Sequence, residues 1–529
     1  MSDLTMASHS AADTARDSAA PPAPLAKALR GILVASMILH AILLTCMISM
    51  RVAFPYGQSL DVSQYQINRS LDMGIDPYSM EGRLTPPYYA AGYGPVFYMS
   101  NYAFAKLFGD SIRTVRLLHG LIALALIAGV ARMLSMVTGR NRFQTAVFTS
   151  VFLGFHSTTY MFCRIRPDLL ALMFAVYAML IAWKAVGKPR SEPMLAFMAS
   201  LLALALFTKQ TYAMTGVFIL VYFAAYRRFD LCIRTIAYSI LAAAMVWIAC
   251  SMAFRHTNWI YPLLIPTAGH VESGVKYAIA NMKSHFIWTG TTPAFLLMGV
   301  LATAASVRRS GASSDTGPCG KDILFFAFWF FASGLIAFLL SFMTASSVHY
   351  LAEFGLATAV LLASLYRKIE VRNSIVVSVL LQITLLGAIV GDIRLVRGEW
   401  FSYKSIPYQE EVAEILTLNT PEAEPVCSFF SNIPTLTGRE IHFLDNSYYV
   451  HYGSYGFNIP ELYGVFDSYM NDRKFSAILI HPEDTFFSPE YLESHGYRRA
   501  KTRIPRTNRT MAPDLYLRDS AAPAAHEAP

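Results

Sequence analysis

"GILVASMILHAILLTCMISM", residues 31–50, runs for twenty positions without one Asp, Glu, Lys or Arg. A helix of that length rises about 30 Å, the thickness of the hydrocarbon core of a bilayer. The run exceeds the apolar core of a secretion signal, and no small-residue cleavage site follows it, so it reads as a retained span. Ahead of it, residues 1–24 form a tail of Ala, Ser and Pro that is expected to be disordered and cytoplasmic. Similar runs recur along the chain. Hydrophobic residues make up 54% of the sequence and charged ones only 15%, with a mean hydropathy of +0.40. That balance excludes an ordinary soluble domain and gives an all-α polytopic membrane protein.

Lys and Arg between the runs set the orientation, because short basic loops are retained in the cytoplasm. One set of connections carries Lys27 and Arg30, Arg140 and Arg142, Lys184 with Lys188 and Arg190, Arg227 with Arg228 and Arg234, Arg308 with Arg309 and Lys321, and Arg367 with Lys368 and Arg372. The alternate set holds the loop 52–111, turns near 160–167 and 208–211, a loop near 255–285, a turn near 345–349, and everything after about 396. About eleven spans satisfy both sets, with the N-terminus inside and the C-terminus outside. The net charge of +8 then reflects anchoring at an anionic inner leaflet and calls for no nucleic acid. Six cysteines, at 46, 163, 232, 250, 319 and 427, show neither a disulfide framework nor metal-ligand spacing.

The resulting division is a transmembrane module over 25–395 and a small extracytoplasmic α/β domain over 396–529. In the latter, "PYQEEVAEILTLN" and "PELYGVFDSYMNDRK" predict helices, and "PVCSFF", "SAILIHP" and "DLYLRD" predict strands. It contains no glycine-rich phosphate loop and no nucleophile elbow. A platform for an acceptor and a purely structural cap both fit.

The loop 52–111 is too long for a simple connection, and such loops usually carry function. "SLDVSQYQINRSLDMGIDPY", residues 59–78, has helical spacing, and Val62, Tyr65, Ile67 and Leu71 give an apolar side suited to the bilayer surface. Asp61 falls at the start of that helix. With Gln64 three positions on, it has the spacing of a capping box, so the spacing alone leaves a cap and a reactive carboxylate both open. Asp72 and Asp76, around Gly74 and Pro77, read as turn formers.

Taken in order, Asp61, Tyr65, Gly74, Pro77, Tyr78, Pro87, Tyr93, Pro95, Arg113 and Arg116 resemble the polytopic GT-C glycosyltransferases. So do "RIRPDLLALMF" at 164–174 and "LALFTKQTYAM" at 204–214. The style is that of the protein O-mannosyltransferases and the lipid A aminoarabinose transferases, and the resemblance covers most of the chain. It implies a multi-pass protein of a bacterial inner membrane that moves a sugar from a polyprenyl phosphate to a glycan, lipid or protein acceptor outside the cytoplasm. Departure of the lipid phosphate develops negative charge that Lys or Arg can stabilise, and the attacking hydroxyl needs a base. A single carboxylate suffices for inverting displacement.

On this reading Asp61 and Asp168 are the catalytic candidates. Arg164, Arg166, Lys209, His349 and Tyr350 are the candidates for the donor phosphate. Tyr65, Tyr78, Tyr93 and Glu353 are the candidates for sugar or acceptor contacts. Bland alternatives stand beside several of them. Asp168 follows Pro167, where a helix dipole alone favours an acid. Lys209 can snorkel from an apolar run. Tyr350 can anchor at an interface, whereas a carboxylate such as Glu353 inside a membrane helix needs a partner or a task. Arg255 and His256 rank below all of these. A divalent metal, Mg or Mn, on the donor phosphate is the one cofactor the reading admits. The rival functions are a ligase, polymerase or transporter of lipid-linked saccharides, and a non-catalytic assembly subunit.

Reporter fusions test the topology. Those after Arg142, Arg190, Arg228 and Lys321 should report cytoplasm, and those after Pro87, His270 and the C-terminal domain should report the outside. A cytoplasmic C-terminal domain would overturn the arrangement.

Overall fold

A computed structural model of the protein describes residues 23–56, 59–79, 91–162, 164–187, 192–254, 279, 294–302, 318–341, 351–369, 375–422, 424–428, 433–437, 441–443, 467–480, 488–504 and 513–519. The helices used below are α1 (Ala23–Ala53), α2 (Ser59–Asp72), α3 (Pro95–Phe108), α4 (Ile112–Val137), α5 (Arg142–Leu153), α6 (His156–Thr159), α7 (Pro167–Val186), α8 (Glu192–Thr208), α9 (Ala213–Ala225), α10 (Phe229–Ala253), α11 (Pro318–Ser341), α12 (Ala352–Ile369), α13 (Ile375–Lys404) and α14 (Ile406–Asn419).

Among the described residues, six stretches are long and apolar enough to cross a membrane: Lys27–Ala53, Ile112–Val137, Pro167–Val186, Phe229–Ala253, Asp322–Leu340 and Ile375–Asn419. Two shorter apolar helices, Glu192–Thr208 and Gln210–Ala225, lie between them. Further helical residues lie in α5, at 294–302 and in α12. The bundle shares one apolar core, with Met47, Leu126, Phe152, Leu172, Phe218 and Leu362 fully or almost fully enclosed. Its lipid-facing surfaces keep large side chains exposed, such as Ile38, Leu124, Ile240 and Leu335.

The segment between α1 and α4 folds back on the bundle end. The predicted helix in the loop is α2, but its apolar side does not lie on the bilayer. Val62, Tyr65 and Ile67 are buried with Tyr78, Phe97, Val115, Ile165 and Phe207, because α3 and the ends of α7 and α8 offer them a protein partner. Asp76 does form a turn, with Oδ1 accepting the Tyr78 N–H at 2.9 Å. Asp72 instead faces Lys106 at 2.5 Å.

Helix α13 continues past residue 395, the expected edge of the transmembrane module, and runs to Lys404. Ser405 then separates it from α14. Beyond lies a five-stranded sheet in the order β2-β1-β3-β5-β4, formed by Val426–Ser428 (β1), Ile441–Phe443 (β2), Ala477–Ile480 (β3), Tyr497–Arg499 (β4) and Asp514–Arg518 (β5). β1 pairs in parallel with β2 and β3, and β5 pairs antiparallel with β3 and β4. Helix α14 matches the predicted "PYQEEVAEILTLN", and β1, β3 and β5 match the three predicted strands. The core of this unit takes in Phe54 and Tyr56 from the segment after α1, packed with Tyr408, Val412 and Leu479.

At the bundle end the approach of Gly94 to α8 is the tightest constraint. A Cβ there would stand 2.0 Å from the Phe207 carbonyl oxygen and 2.6 Å from its carbon. The Gly94 N–H donates to Thr208 O at 3.3 Å. Backbone cannot step aside as a side chain can, so Gly94→Ala should cost stability at the upper end of the ~1–3 kcal/mol typical of overpacking. Thermal melting in detergent checks this, and a variant that melts with the parent would refute the close approach.

Candidate active site

The site grows from two buried arginines. Arg116 sits in the second turn of α4, the turn that follows the Ser111 cap. Its Nη1 donates to the carbonyls of Arg51, Phe54 and Tyr56 at 3.4, 2.9 and 3.2 Å, satisfying oxygens that the end of α1 leaves without helical partners. Its Nε and Nη2 both donate to Asp61 Oδ2, at 3.2 and 3.0 Å. Arg51, in the last turn of α1, donates from Nε to Glu399 at 2.7 Å and from Nη1 to Phe162 O at 2.6 Å.

Asp61 is not the helix cap. The helix starts at Ser59, which places Asp61 in its first turn, and Gln64 accepts from Tyr98 Oη at 2.6 Å instead of closing a capping box. Asp61 Oδ1 accepts the Ile165 N–H at 3.2 Å, tying α2 to the turn before α7. Burial alone would raise this carboxyl. Arg116, then Arg164 and Arg166, together with the Arg116 hydrogen bond, outweigh burial and hold it below the ordinary carboxylate range.

Arg164 and Arg166 come from that same turn, and Pro167 at the start of α7 makes the residue before it extended. The Arg164 guanidinium lies 4.3 Å from the Tyr160 ring centroid, and its Nη1 donates to Tyr160 Oη at 3.3 Å. Arg164 leads the influences that hold the Tyr160 hydroxyl below its usual value. Arg166 and Arg51 add to it, against burial and Asp61. Arg166 is 4% exposed, and Tyr93, Tyr160, Asp61 and Asp168 all stabilise its charge against burial. Among the described residues, Nε of Arg164 and Nε of Arg166 are buried without a hydrogen-bond acceptor.

Lys209 does not snorkel. It is 2% exposed, donates to Asp168 Oδ1 at 2.6 Å and lies 5.9 Å from the Tyr93 ring centroid. The chain leaves α8 at Thr208 and turns through Gln210–Tyr212, which points Lys209 inward at the start of α7.

Asp61, Arg164, Arg166, Asp168, Lys209 and Tyr93 thus share one buried cluster. Tyr78 supports it from behind: it is fully buried and donates to Tyr93 O at 2.7 Å. The Tyr65 hydroxyl engages Asp110 on another side, and burial followed by Asp110 raises its pKa. Glu353 finds its partners elsewhere, accepting from Thr215 at 3.2 Å and Trp329 Nε1 at 3.4 Å, and so joins three helices. His349 and Tyr350, like Arg255 and His256, lie outside the described residues. Site reasoning on the sequence passed over Arg51 and Tyr160. Arg116 entered it only as part of a motif, although a charge just inside the end of an apolar run was the available signal. Among the described residues no three His, Cys, Asp or Glu side chains gather as metal ligands.

The crystal structure of ArnT from Cupriavidus metallidurans bound to undecaprenyl phosphate superimposes with a TM-score of 0.58, at 12% identity, over 92% of this chain and 98% of that one. Its apo form gives 0.58 over 90% and 97%, at 12% identity. The apo oligosaccharyltransferase of Archaeoglobus fulgidus gives 0.50 at 11% identity, over 85% of this chain and 70% of that one. At such identities the likeness is one of fold, and the fold is GT-C-like with a small C-terminal sheet. No protein-family model matches the sequence, and no curated protein does.

The Asp61–Arg116 pair should carry stability. Breaking a buried pair from one side costs about 3–5 kcal/mol. Asp61→Asn and Arg116→Met should therefore each melt well below the parent, and the double variant should lose less than the two single losses added. The folded pKa of Asp61 lies below its unfolded value of about 3.9. Its contribution is therefore complete above that value and fades as pH falls through the folded pKa. Strict additivity in the cycle would remove the pair from the argument.

Proposed function

We propose that this membrane protein transfers a sugar from a polyprenyl-phosphate donor to a glycan, lipid or protein acceptor, by inverting displacement at the buried cluster. The observation that carries the reading is the pair of unfilled Nε–H donors on Arg164 and Arg166 in a cluster rich in positive charge. Among the described residues Arg51, Arg116, Arg164, Arg166 and Lys209 supply five positive charges against Asp61, Asp168 and Glu399, an excess of two. Burying excess charge is costly unless a counter-ion completes it, and a phosphate matches both the charge and the fork of donors. The fold supports the same ligand, since ArnT, which shares it, was crystallised with undecaprenyl phosphate.

In the reaction the acceptor oxygen forms a bond to the anomeric carbon while the bond from that carbon to the donor phosphate breaks, and the electron pair leaves with the phosphate. Arg164 and Arg166 stabilise that developing charge. The acceptor hydroxyl gives its proton to a carboxylate, for which Asp61 is the candidate. A carboxylate has about four acceptor positions. Arg116 takes Oδ2 and Ile165 takes one position on Oδ1, which leaves one for the acceptor. A resident base held this low takes the proton only as bond formation acidifies the hydroxyl. Asp168, whose Oδ1 accepts from Lys209, serves to hold that lysine beside Tyr93. The donor set of Asp61 and Asp168 does not fit a divalent cation, because each is already held by a side-chain cation and the described residues bring no third ligand.

Arg164→Met and Arg166→Met test the donor contact. A hydrogen bond to a charged group is worth about 1.5–3 kcal/mol, and tenfold corresponds to about 1.4 kcal/mol. Each variant should therefore need roughly tenfold or more donor for half-saturation while remaining folded. Unchanged donor saturation in both would refute the phosphate assignment. In the Asp61→Asn/Arg116→Met background, where neither charge is stranded, transfer should still fall by about 100- to 10,000-fold if Asp61 is the base. Transfer within a fewfold of the parent would remove Asp61 from the chemistry.

A further inference from the structure

From the opposite end of the bundle we infer a second site, one that binds the headgroup of an anionic phospholipid. Helix α1 connects the two ends. Arg30 and Arg51 are twenty-one residues apart on it, a rise of about 32 Å, so Lys27 and Arg30 stand at one membrane boundary and the arginine cluster at the other. Between α1, α5, α12 and α13 at that boundary lies a cleft of about 320 Å³, lined by Lys27, Arg30, Asn141 and Gln144 around its polar part and by Leu33 and Leu381 below.

The polar wall is arranged for an anion. Among the described residues, neither Lys27 nor Arg30 has a carboxylate partner and no acidic side chain lines the cleft. The Arg30 guanidinium carbon lies over the Phe143 ring, 4.6 Å from its centroid, a contact that does not use its N–H donors. Asn141 turns its Oδ1 to the Gln144 N–H at 3.1 Å as the cap of α5, which leaves its side-chain NH2 as a donor at the cleft. Two cations and an amide donor, with no counter-charge among the described residues, suit a phosphate, and basic pockets between spans bind acidic headgroups in this way.

The remainder of the cleft selects a lipid over a free anion. Its floor is apolar, and Ile375 on its rim is 41% exposed beside Val376 at 56% and Ile32 at 51%, the bundle's lipid-facing surface. An acyl chain can leave the headgroup along that surface without crossing a polar barrier. The site lies a membrane thickness from the sugar-transfer cluster and shares no residue with it, so it stands or falls independently of that function.

The test uses the purified full-length protein in detergent, with thermal melting followed against phosphatidylglycerol, phosphatidylcholine and inorganic phosphate. Phosphatidylglycerol should raise the midpoint in a saturable manner, and phosphatidylcholine should not. Lys27→Gln/Arg30→Gln should weaken the apparent affinity for phosphatidylglycerol at least tenfold while melting like the parent without lipid. If that double variant fails to fold, Gln144→Glu replaces it, since a carboxylate in the cleft should repel the headgroup to a similar extent. Equal binding by parent and folded variant overturns the site. A full shift with inorganic phosphate alone overturns the lipid as its ligand.

Discussion

The bidentate contact between Arg116 and Asp61 is the interaction on which the site end of the molecule depends. A guanidinium buried at 3% exposure must fill its donors or lose several kcal/mol of hydration without return. Arg116 does so in two directions: the carbonyls at the end of α1 take one nitrogen, and Asp61 takes the other two. Arg51, Phe54, Tyr56 and Asp61 are thereby gathered around a single side chain from α4. Asp61 passes the restraint on through its other oxygen to Ile165, and the two residues flanking Ile165 are Arg164 and Arg166. The position of the unfilled donors therefore follows from the position of Arg116, although Arg116 offers them nothing directly.

The second pair, Lys209 with Asp168, works differently. An ammonium is a compact charge with rotatable donors, whereas a guanidinium is a fixed fork. Lys209 makes its contact to Asp168 while lying near the Tyr93 ring, so it adds charge to the cluster without clamping its geometry. The clamp on this side is backbone instead. Gly94 presses on Phe207 and Thr208, and the Tyr78 hydroxyl holds the carbonyl of Tyr93. One side of the cluster is rigid through an arginine and the other through a glycine.

Much of this architecture was written in local patterns. The run at 31–50 required a span, the basic residues between runs set out the helices, and short apolar stretches after 420 marked β1, β3 and β5. The strands β2 and β4 escaped because "IHF" and "YRR" are short and carry polar or charged residues, which gives no alternation to read. The site was legible by residue type and not by pairing. Asp61 and Asp168 attracted notice as carboxylates beside spans. Nothing local indicates that Asp61 meets an arginine fifty-five positions away, or Lys209 an aspartate forty-one away, because partners across a bundle are chosen by helix packing. The same limit explains α2. Its apolar side is visible in the sequence, but whether that side meets lipid or protein depends on α3, α7 and α8.

Two residues, Phe54 and Tyr56, carry two loads at once. Their side chains belong to the core of the C-terminal sheet unit, while their carbonyls are held by Arg116. A core aromatic resists withdrawal by about 3–5 kcal/mol, and bonds from a charged donor resist by about 1.5–3 kcal/mol each. The C-terminal unit therefore cannot lift from the bundle as a free lid: either the aromatics leave its core or the carbonyls leave Arg116. Since the second event would disturb the arginine that holds Asp61, the packing of the C-terminal sheet unit and the geometry of that carboxylate are constrained by the same two residues.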